Sequence, residues 1–512
     1  MKEIRNGAIL SYLSIFLTFF VSIVYTPIMI QMLGQEEYGL YALMMVLVGY
    51  FSILDLGFGN AIVRYISRNR ATGDKVMEAA LNGFFLKLFI AIGFIALGIG
   101  FILYTQMDMI FGSSLTIEQL NKTKMMLIFM TISMALQFPL SVFTSILQAY
   151  EKFVFIKFIS LSQAILQPLT MLFFLLNGAD SVAMIGIVAF YNVLFLMIEA
   201  FICMKILDIS FTFRRNSGIL KKEIFVFAFF IFVTVIVDKI YWQTDQMLLG
   251  IIKGTTDVAV YAIAMQIVMI FMSLALAISN LFLPRMSILV TEEDSVSQIN
   301  QLFIKVGSIQ FLIISYVLGG FFLFGREFIA MWVGQEFLDV YKIVLIIMLP
   351  FTIDLIQNLG LSVLKAKNLF KFRTLLLISI ALVNLVLSIP AIQFFGLMGA
   401  AIITAFSLLI GNVIIMNVYY YKKLQLDIKG FWARIIRLLV GVSLATATMK
   451  LIVNIFNPKI SWVSLVGFIL LYGLFLGISI VQFGLSGNQR KIGILMVKKL
   501  YSNILNKRIE QE

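Results

Sequence analysis

The chain has 512 residues, of which 61% are hydrophobic and 13% are charged, with a formal net charge of +13. So few polar residues cannot cover a soluble protein of this size, which excludes a water-soluble fold and indicates an integral membrane protein. There is no histidine and a single cysteine, Cys203, which excludes intrachain disulfides, histidine-ligated metals and imidazole proton relays. Any proton chemistry therefore depends on carboxylates.

Apolar segments long enough to cross a bilayer recur along the whole chain. We predict an all-α protein with about fourteen transmembrane helices. In chain order they lie near residues 8–32, 39–63, 80–105, 123–149, 155–176, 182–204, 223–251, 257–283, 303–324, 340–364, 374–392, 397–420, 435–455 and 461–484. No connection exceeds about 20 residues, which leaves no room for a soluble catalytic domain.

The connections alternate in charge along the chain. Roughly 30 lysines and arginines fall on one set of connections and about 6 on the other. The positive-inside rule then places both termini in the cytoplasm. The excess positive charge therefore reflects topology and contact with anionic membrane lipids, and nucleic acid is not an expected partner.

The chain contains an internal repeat. At a shift of about 220 residues, identical residues coincide at many positions of the first and second halves. Gly34, Tyr41, Ala42, Met45, Val48, Phe51, Leu54, Asn60 and Ser67 fall on Gly254, Tyr261, Ala262, Met265, Val268, Phe271, Leu274, Asn280 and Ser287. An even number of helices per half predicts two parallel six-helix lobes related by a pseudo-two-fold axis, followed by two extra C-terminal helices.

The predicted division follows from this repeat. Residues 1–210 form a first lobe and residues 211–425 a second lobe. Residues 426–486 form the extra helix pair, helices 13 and 14, and residues 487–512 form a basic cytoplasmic tail.

Four stretches carry a family resemblance. LGQEEYGLYAL (33–43), followed by LDLGFGNAIVRYISRN (54–69), resembles the N-terminal signature of Wzx-type polysaccharide-export flippases. These oligosaccharide flippases belong to the MOP superfamily, which also contains the MATE exporters and MurJ. TDQMLLGIIKGTTDVAVYAIAMQI (244–267) and FGLMGAAIITA (395–405) resemble the superfamily's patterns around helices 7, 8 and 12. The resemblance covers residues 1–430.

The resemblance implies a flippase of the bacterial cytoplasmic membrane that is not an enzyme and has no cofactor. It would move undecaprenyl-pyrophosphate-linked oligosaccharide from the inner to the outer leaflet by alternating access, with or without H+ or Na+ coupling. A polysaccharide polymerase and glycosyltransferases are candidate partners. One alternative is a MATE-like ion-coupled exporter of small cations. A remote alternative is a membrane glycosyltransferase or ligase, which would need larger catalytic loops than this chain has.

Helix 7 is the most charged predicted span. A charge near mid-bilayer costs at least ~2.5–3.5 kcal/mol, so its polar stripe should face a cavity between the lobes or be paired within the bundle. Asp238 and Asp245 share one stripe with Tyr241. The adjacent face carries the substrate-binding candidates Lys239, Gln243 and Gln246, with the lysine expected to hold an anionic group and the glutamines to donate to sugar hydroxyls.

Further candidates lie on other helices. Arg64 and Arg285 are predicted near the cytoplasmic ends of helices 2 and 8, where they either reach the headgroups or form an entrance for a pyrophosphate. The remaining substrate-binding candidates are Asn60, Asn280 and Gln266, and the ion-coupling candidates are Asp55, Asp238, Asp245 and Asp354. Pro27 and Pro139 are predicted to interrupt their helices. Helices 13 and 14 are candidates to border a groove for the polyprenyl tail.

Overall fold

The computed structural model describes residues 2–207, 209–213, 218–292, 295–367, 369–456, 458 and 461–484. This part of the chain is helical and contains no strand. The helices are α1 (Lys2–Leu33), α2 (Gln35–Phe51), α3 (Phe58–Thr72), α4 (Lys75–Phe111), α5 (Ile117–Ala149), α6 (Phe153–Leu176), α7 (Ser181–Leu207), α8 (Gly218–Ile252), α9 (Thr255–Thr291), α10 (Val296–Trp332), α11 (Asp339–Ile356), α12 (Leu359–Ala366), α13 (Phe370–Leu408), α14 (Met416–Leu424), α15 (Ile428–Phe456) and α16 (Trp462–Ser479). The predicted basic tail falls outside the described residues.

Twelve of the described helical segments are long and apolar enough to cross a membrane, or thirteen if α11 and α12, bent by 48°, form one span. The segment Lys371–Leu424 is 54 residues long, and Gly396 within it has non-helical backbone angles (φ 55°, ψ −134°). One crossing needs only about 20 residues. The predicted all-α multi-pass membrane fold is confirmed, and the count of fourteen spans stays a prediction.

The second span is broken in its middle. A short 3₁₀ segment, Ser52–Asp55, follows α2, and the chain then passes through left-handed conformations at Leu56 (φ 51°) and Gly57 (φ 76°) before α3 begins. The prediction of one continuous helix over residues 39–63 is therefore wrong. Glycine adopts a positive φ at little cost, so Gly57 allows a break that the hydropathy of the segment does not reveal.

The two prolines predicted to interrupt helices do not do so. Pro27 lies inside α1 and Pro139 inside α5, and both helices continue past them. A proline removes one backbone hydrogen bond, and neighbouring groups in a membrane helix can compensate for that loss. The described breaks lie instead at Gly57, at Gly396 and between α11 and α12.

The described chain divides into two compact units. The first comprises the residues up to Ile263 together with Ala381–Ala400, and the second comprises Ala264–Ile380 with the residues from Ala401 onward. The first unit therefore includes α1–α8, the start of α9 and the middle of α13. The lobe boundaries at residues 210 and 425 stay predictions.

The first unit is tied together at the end where α3, α4 and α5 meet. Tyr150 donates a hydrogen bond to Glu78, and Arg70 lies over the Tyr150 ring with its Cζ 4.8 Å from the centroid. The arginine also donates to the Ala149 carbonyl at 3.0 Å. Burial, together with the hydrogen bond to Glu78, raises the pKa of Tyr150. These contacts fix the ends of three long helices.

The second unit packs α10 against α11, α15 and α16 through aromatic side chains. Phe303 of α10 meets Phe431 of α15, with centroids 4.8 Å apart, and Tyr316 stacks on Tyr472 of α16 at 5.6 Å. An apolar cavity of about 240 Å³ lies between α10 and α16. It is lined by Tyr316, Val317, Gly320, Phe321, Phe324, Gly325, Phe328, Leu465 and Ile469.

Candidate functional site

The two predicted glutamine ligands of α8 lie against α2. Gln246 is buried, and its Nε2 donates to the Ala42 carbonyl over 3.4 Å. A Cβ built on Gly49 would lie 2.7 Å from Cδ of Gln243, so the glycine makes room for this amide. The Oε1 of Gln243 is buried without a hydrogen-bond partner among the described residues. Both amides therefore lie in the contact between α2 and α8.

Asp245 lies between these two glutamines on α8, directly before Gln246, and is 3% exposed. Its Oδ2 accepts a hydrogen bond from the Tyr261 hydroxyl of α9 at 2.9 Å, and its Oδ1 accepts one from Ser388 of α13 at 2.8 Å. Ser388 also contacts Asn384, one turn away on α13. A buried carboxylate needs such donors, since burying it without partners is costly. Asp245 is therefore the point at which three helices of the first unit meet.

The predicted mid-membrane cation is accessible. Lys239 is half-buried, and the neighbouring Asp238 is exposed. Along a helix, Lys239 and Asp245 are about 9 Å apart. The polar stripe of α8 thus has two parts: a buried part around Asp245 and Gln246, and an accessible part around Lys239.

Several connections pack together at one end of the first unit. Ser114 donates to the Gly250 carbonyl at 2.8 Å, and Lys253 donates to the Gln393 carbonyl at 3.1 Å. A Cβ built on Gly39 would lie 2.6 Å from the carbonyl carbon of Thr255. The sequence assigns all of these connections to the non-cytoplasmic side. We call this set of contacts the outer-end contact.

The break in the second span places Asp55 at the end of the 3₁₀ segment. Its Oδ2 lies 3.4 Å from the backbone nitrogen of Gly59, which donates to it. An apolar cavity of about 530 Å³ adjoins the break. Its lining residues are Leu56, Phe58, Phe225, Val226, Ala228, Phe229 and Phe232. Asp55 is half-buried, and its observed hydrogen bond serves the start of α3.

The predicted entrance residues are exposed. The Cζ of Arg64 lies 4.5 Å from the ring centroid of Phe227, a cation–π contact that leaves its donors available. Asn60 and Arg285 are exposed, and Gln266 is half-buried. The side chain of Asn280 lies outside the described part of the structure.

An ion pair in the second unit was not foreseen from the sequence. The Nη2 of Arg373, which is 6% exposed, lies 3.7 Å from Oδ1 of Asp354, and its Nη1 donates to Asn412 at 3.0 Å. The sequence counted Arg373 among the basic residues of a loop, whereas it lies inside α13. Gln357, three residues after Asp354, exchanges hydrogen bonds of 2.9 and 3.1 Å with Asn417. Asp354 thus has a structural partner beside its predicted ion-coupling role.

Within the described ranges, no group of three or more histidine, cysteine or carboxylate side chains could hold a metal ion. Between residues 238 and 246, α8 combines the Lys239 ammonium group and the neighbouring exposed Asp238 with two amides and the hydrogen-bonded carboxylate of Asp245. Such a set can bind an anionic, hydroxyl-rich group once the amides leave α2.

Comparison with known proteins places this arrangement in a family. A family model described as "Polysaccharide biosynthesis protein" matches residues 4–290, which is more than half of the chain. The chain belongs to this polysaccharide biosynthesis family. The match includes α8 with its polar stripe and the outer-end contact residues up to Thr255. The predicted family resemblance is confirmed.

Two relatives of known sequence agree with this family assignment. This chain is 22% identical over 397 residues to the "Putative O-antigen transporter" of Shigella flexneri, and the alignment covers 76% of this chain and 90% of the relative. It is 22% identical over 428 residues to the "Uncharacterized membrane protein EpsK" of Bacillus subtilis (strain 168), covering 80% and 82%.

The structural likenesses concern the fold. The solved structure of "Lipid II flippase MurJ, inward closed conformation" superposes with a TM-score of 0.70 at 16% identity, covering 93% of this chain and 98% of that one. An inward-facing MATE family multidrug transporter of the MOP superfamily gives 0.66 at 13% identity, covering 79% and 95%. This chain therefore has the transporter fold that MurJ and the MATE transporters share.

Proposed function

We propose that this protein is a flippase that moves undecaprenyl-pyrophosphate-linked oligosaccharide from the inner to the outer leaflet of the bacterial cytoplasmic membrane. The observation that carries the proposal is the combination of a polysaccharide biosynthesis family match with a MurJ-like transporter fold. The Shigella relative's name, an O-antigen transporter, agrees with a glycan as the cargo. The protein supplies a path across the membrane and makes or breaks no covalent bond.

Lys239 is the residue we assign to the pyrophosphate. It is half-buried in a membrane span, where an ammonium group is costly unless an anion or water reaches it. Gln243 and Gln246 join it when α8 separates from α2, and their amides then donate to sugar hydroxyls. Substrate binding would thus compete with the contact between α2 and α8 and shift the population between two states.

The experiment compares Lys239→Gln with Lys342→Gln in cells that depend on this protein for surface polysaccharide. Lys342 is an exposed lysine that forms an ion pair with the exposed Asp339, so its replacement removes the same charge at a position of little consequence. We expect Lys239→Gln to reduce polymer at least tenfold and to cause accumulation of lipid-linked oligosaccharide, while Lys342→Gln matches wild type. Normal polymer from an inserted Lys239→Gln protein would contradict the role of α8.

A MATE-like exporter of small cations is the second candidate, because the MATE likeness extends over 79% of the chain. In that case Asp245 would bind the cation. Both oxygens of Asp245 already accept hydroxyl hydrogen bonds, which favours the flippase. Energy-dependent efflux of ethidium by purified protein in vesicles, abolished by Asp245→Asn, would support the exporter instead.

The remaining part of the proposed substrate, its polyprenyl tail, needs an apolar surface. The cavity between α10 and α16 involves the second of the two extra C-terminal helices, which the sequence predicts to border a lipid-tail groove. Its lining is aromatic and aliphatic, as a polyprenyl chain requires. We assign the tail to this side of the second unit while the headgroup passes along α8.

A further inference from the structure

The first unit carries a second polar surface, away from α8. On α7, the exposed side chains of Phe190, Met197 and Phe201 follow the spacing of one helix face and mark the side that meets lipid. Asn192 and Glu199 are seven residues apart and lie about half a turn from that face. The polar stripe of α7 therefore points away from the lipid.

The same pattern recurs on α6. Its exposed face is marked by Phe158, Leu169 and other large apolar side chains, and Gln163 and Gln167 lie on the other side. The Nε2 of Gln163 lies 3.2 Å from Oε1 of Gln167 and 3.0 Å from Oδ1 of Asn192. The three amides form a ladder between α6 and α7 and remain half-exposed.

A third helix turns a polar face toward this ladder. On α5, Ser133 donates to the Ala189 carbonyl of α7 at 3.2 Å, and Thr144 donates to Glu199. The two contacts have almost the same sequence offset, so α5 and α7 run in parallel with a fixed register. That register places Gln137, four residues after Ser133, level with Asn192. The Oε1 of Gln137 is buried and has no hydrogen-bond partner among the described residues.

The chemistry of this surface is neutral. Glu199 is seven residues from the ladder and is already engaged by Thr144. Beside the ladder, Tyr191 shares a hydrogen bond of 2.6 Å with Thr170, and its ring stacks on Phe195 with centroids 5.8 Å apart. Amides, one unsatisfied acceptor and a flat aromatic surface suit the hydroxyl groups and C–H faces of a pyranose better than a phosphate.

We propose that Gln137, Gln163, Gln167 and Asn192 form a glycan-binding surface that holds sugar residues of the lipid-linked oligosaccharide, an inference that rests on the proposed flippase function. Lys239 takes the pyrophosphate, and the amide ladder takes the neutral sugars. The division explains why amides of α6 and α7 stay partly exposed instead of forming a closed set of interhelical bonds. This surface then determines which glycan is accepted.

Gln137→Met is the decisive variant. It removes an acceptor that has no partner among the described residues, so a purely structural role predicts unchanged or higher stability and unchanged binding. The test uses the full chain in nanodiscs and two probes. One is sugar-free undecaprenyl pyrophosphate, and the other is the lipid-linked oligosaccharide extracted from the producing strain after deletion of this transporter.

We expect Gln137→Met and Asn192→Leu to bind the sugar-bearing probe about three- to tenfold more weakly, the loss of one neutral hydrogen bond, and to bind the sugar-free probe like wild type. Ser162→Ala, on the exposed side of α6, is the control and should change neither affinity. If Asn192→Leu does not fold, Gln137→Met alone decides.

Two results would overturn the inference. The surface does not recognise the glycan if Gln137→Met binds the sugar-bearing probe with wild-type affinity. The same conclusion follows if the variant loses equal affinity for both probes. Failure of wild-type protein to bind either probe would overturn the proposed flippase function and this inference with it. A Lys239→Gln variant that loses both probes while Gln137→Met loses only one would support both.

Discussion

Replacing Gly39 by alanine should open the outer-end contact. Gly39 lies on α2 where the start of α9 passes, and an added Cβ would be 2.6 Å from the carbonyl carbon of Thr255. Carbon atoms pack at about 3.5–4.0 Å, so the two backbones must separate by about 1 Å. The obstacle is backbone and not a flexible side chain, which leaves no rotamer change to absorb it.

Overpacking of this kind costs about 1–3 kcal/mol. Since 1.4 kcal/mol is a factor of ten, the closed outer-end contact should become about 5- to 150-fold less populated relative to conformations in which α2 and α9 are apart. If the protein alternates between states, Gly39→Ala favours the outward-open state and slows transport by making closure at this end unfavourable.

Cross-linking measures this shift. With the single native cysteine removed by Cys203→Ala, cysteines at Gln35 and Thr256 report the contact through a short bifunctional reagent, because they flank the point where Gly39 meets Thr255 and take no part in the hydrogen bonds of the outer-end contact. We expect the cross-linked fraction to fall strongly in Gly39→Ala. Gly98→Ala is the matched control, since a Cβ there meets nothing within 4 Å. Equal cross-linking in both variants would refute the reasoning.

Two further predictions concern buried charges. Arg373→Ala should destabilise the protein by about 3–5 kcal/mol in thermal unfolding, because it leaves the Asp354 carboxylate without its ion-pair partner. Adding Asp354→Asn should restore most of this stability. If it restores none, the ion pair does not account for the loss. Asp245→Asn should cost about 1.5–3 kcal/mol, since an amide cannot accept at both positions that its hydroxyl donors occupy; unchanged unfolding would mean that these hydrogen bonds contribute little.

Hydropathy was sufficient to predict the fold class. Spans are long apolar segments, and a membrane leaves few alternatives to helices for such segments. The family followed from local motifs whose residues, such as Gly39 and Gly57, are needed for close packing or a positive φ. These features are encoded over a few neighbouring residues and can therefore be read from the sequence.

The partners of the polar residues could not be predicted in the same way. The helical spacing groups Lys239, Gln243 and Gln246 on one face, but only the structure shows that α2 covers the two glutamines. Arg373 was assigned to a loop because one basic residue at a helix end has the same hydropathy signal as a loop residue. The register of α5 and α7, which aligns Gln137 with Asn192, depends on contacts between residues more than fifty positions apart.

The break in the second span gives Asp55 a structural role that does not depend on transport. Where the helix stops, the first backbone amide groups of the next helix lose their regular intrahelical partners. Asp55 accepts from the backbone of the segment that restarts beyond the bend. A hydrogen-bond acceptor at this position satisfies the free backbone N–H group of Gly59. A neutral residue that replaces Asp55 must therefore still carry an acceptor oxygen if the break is to be kept.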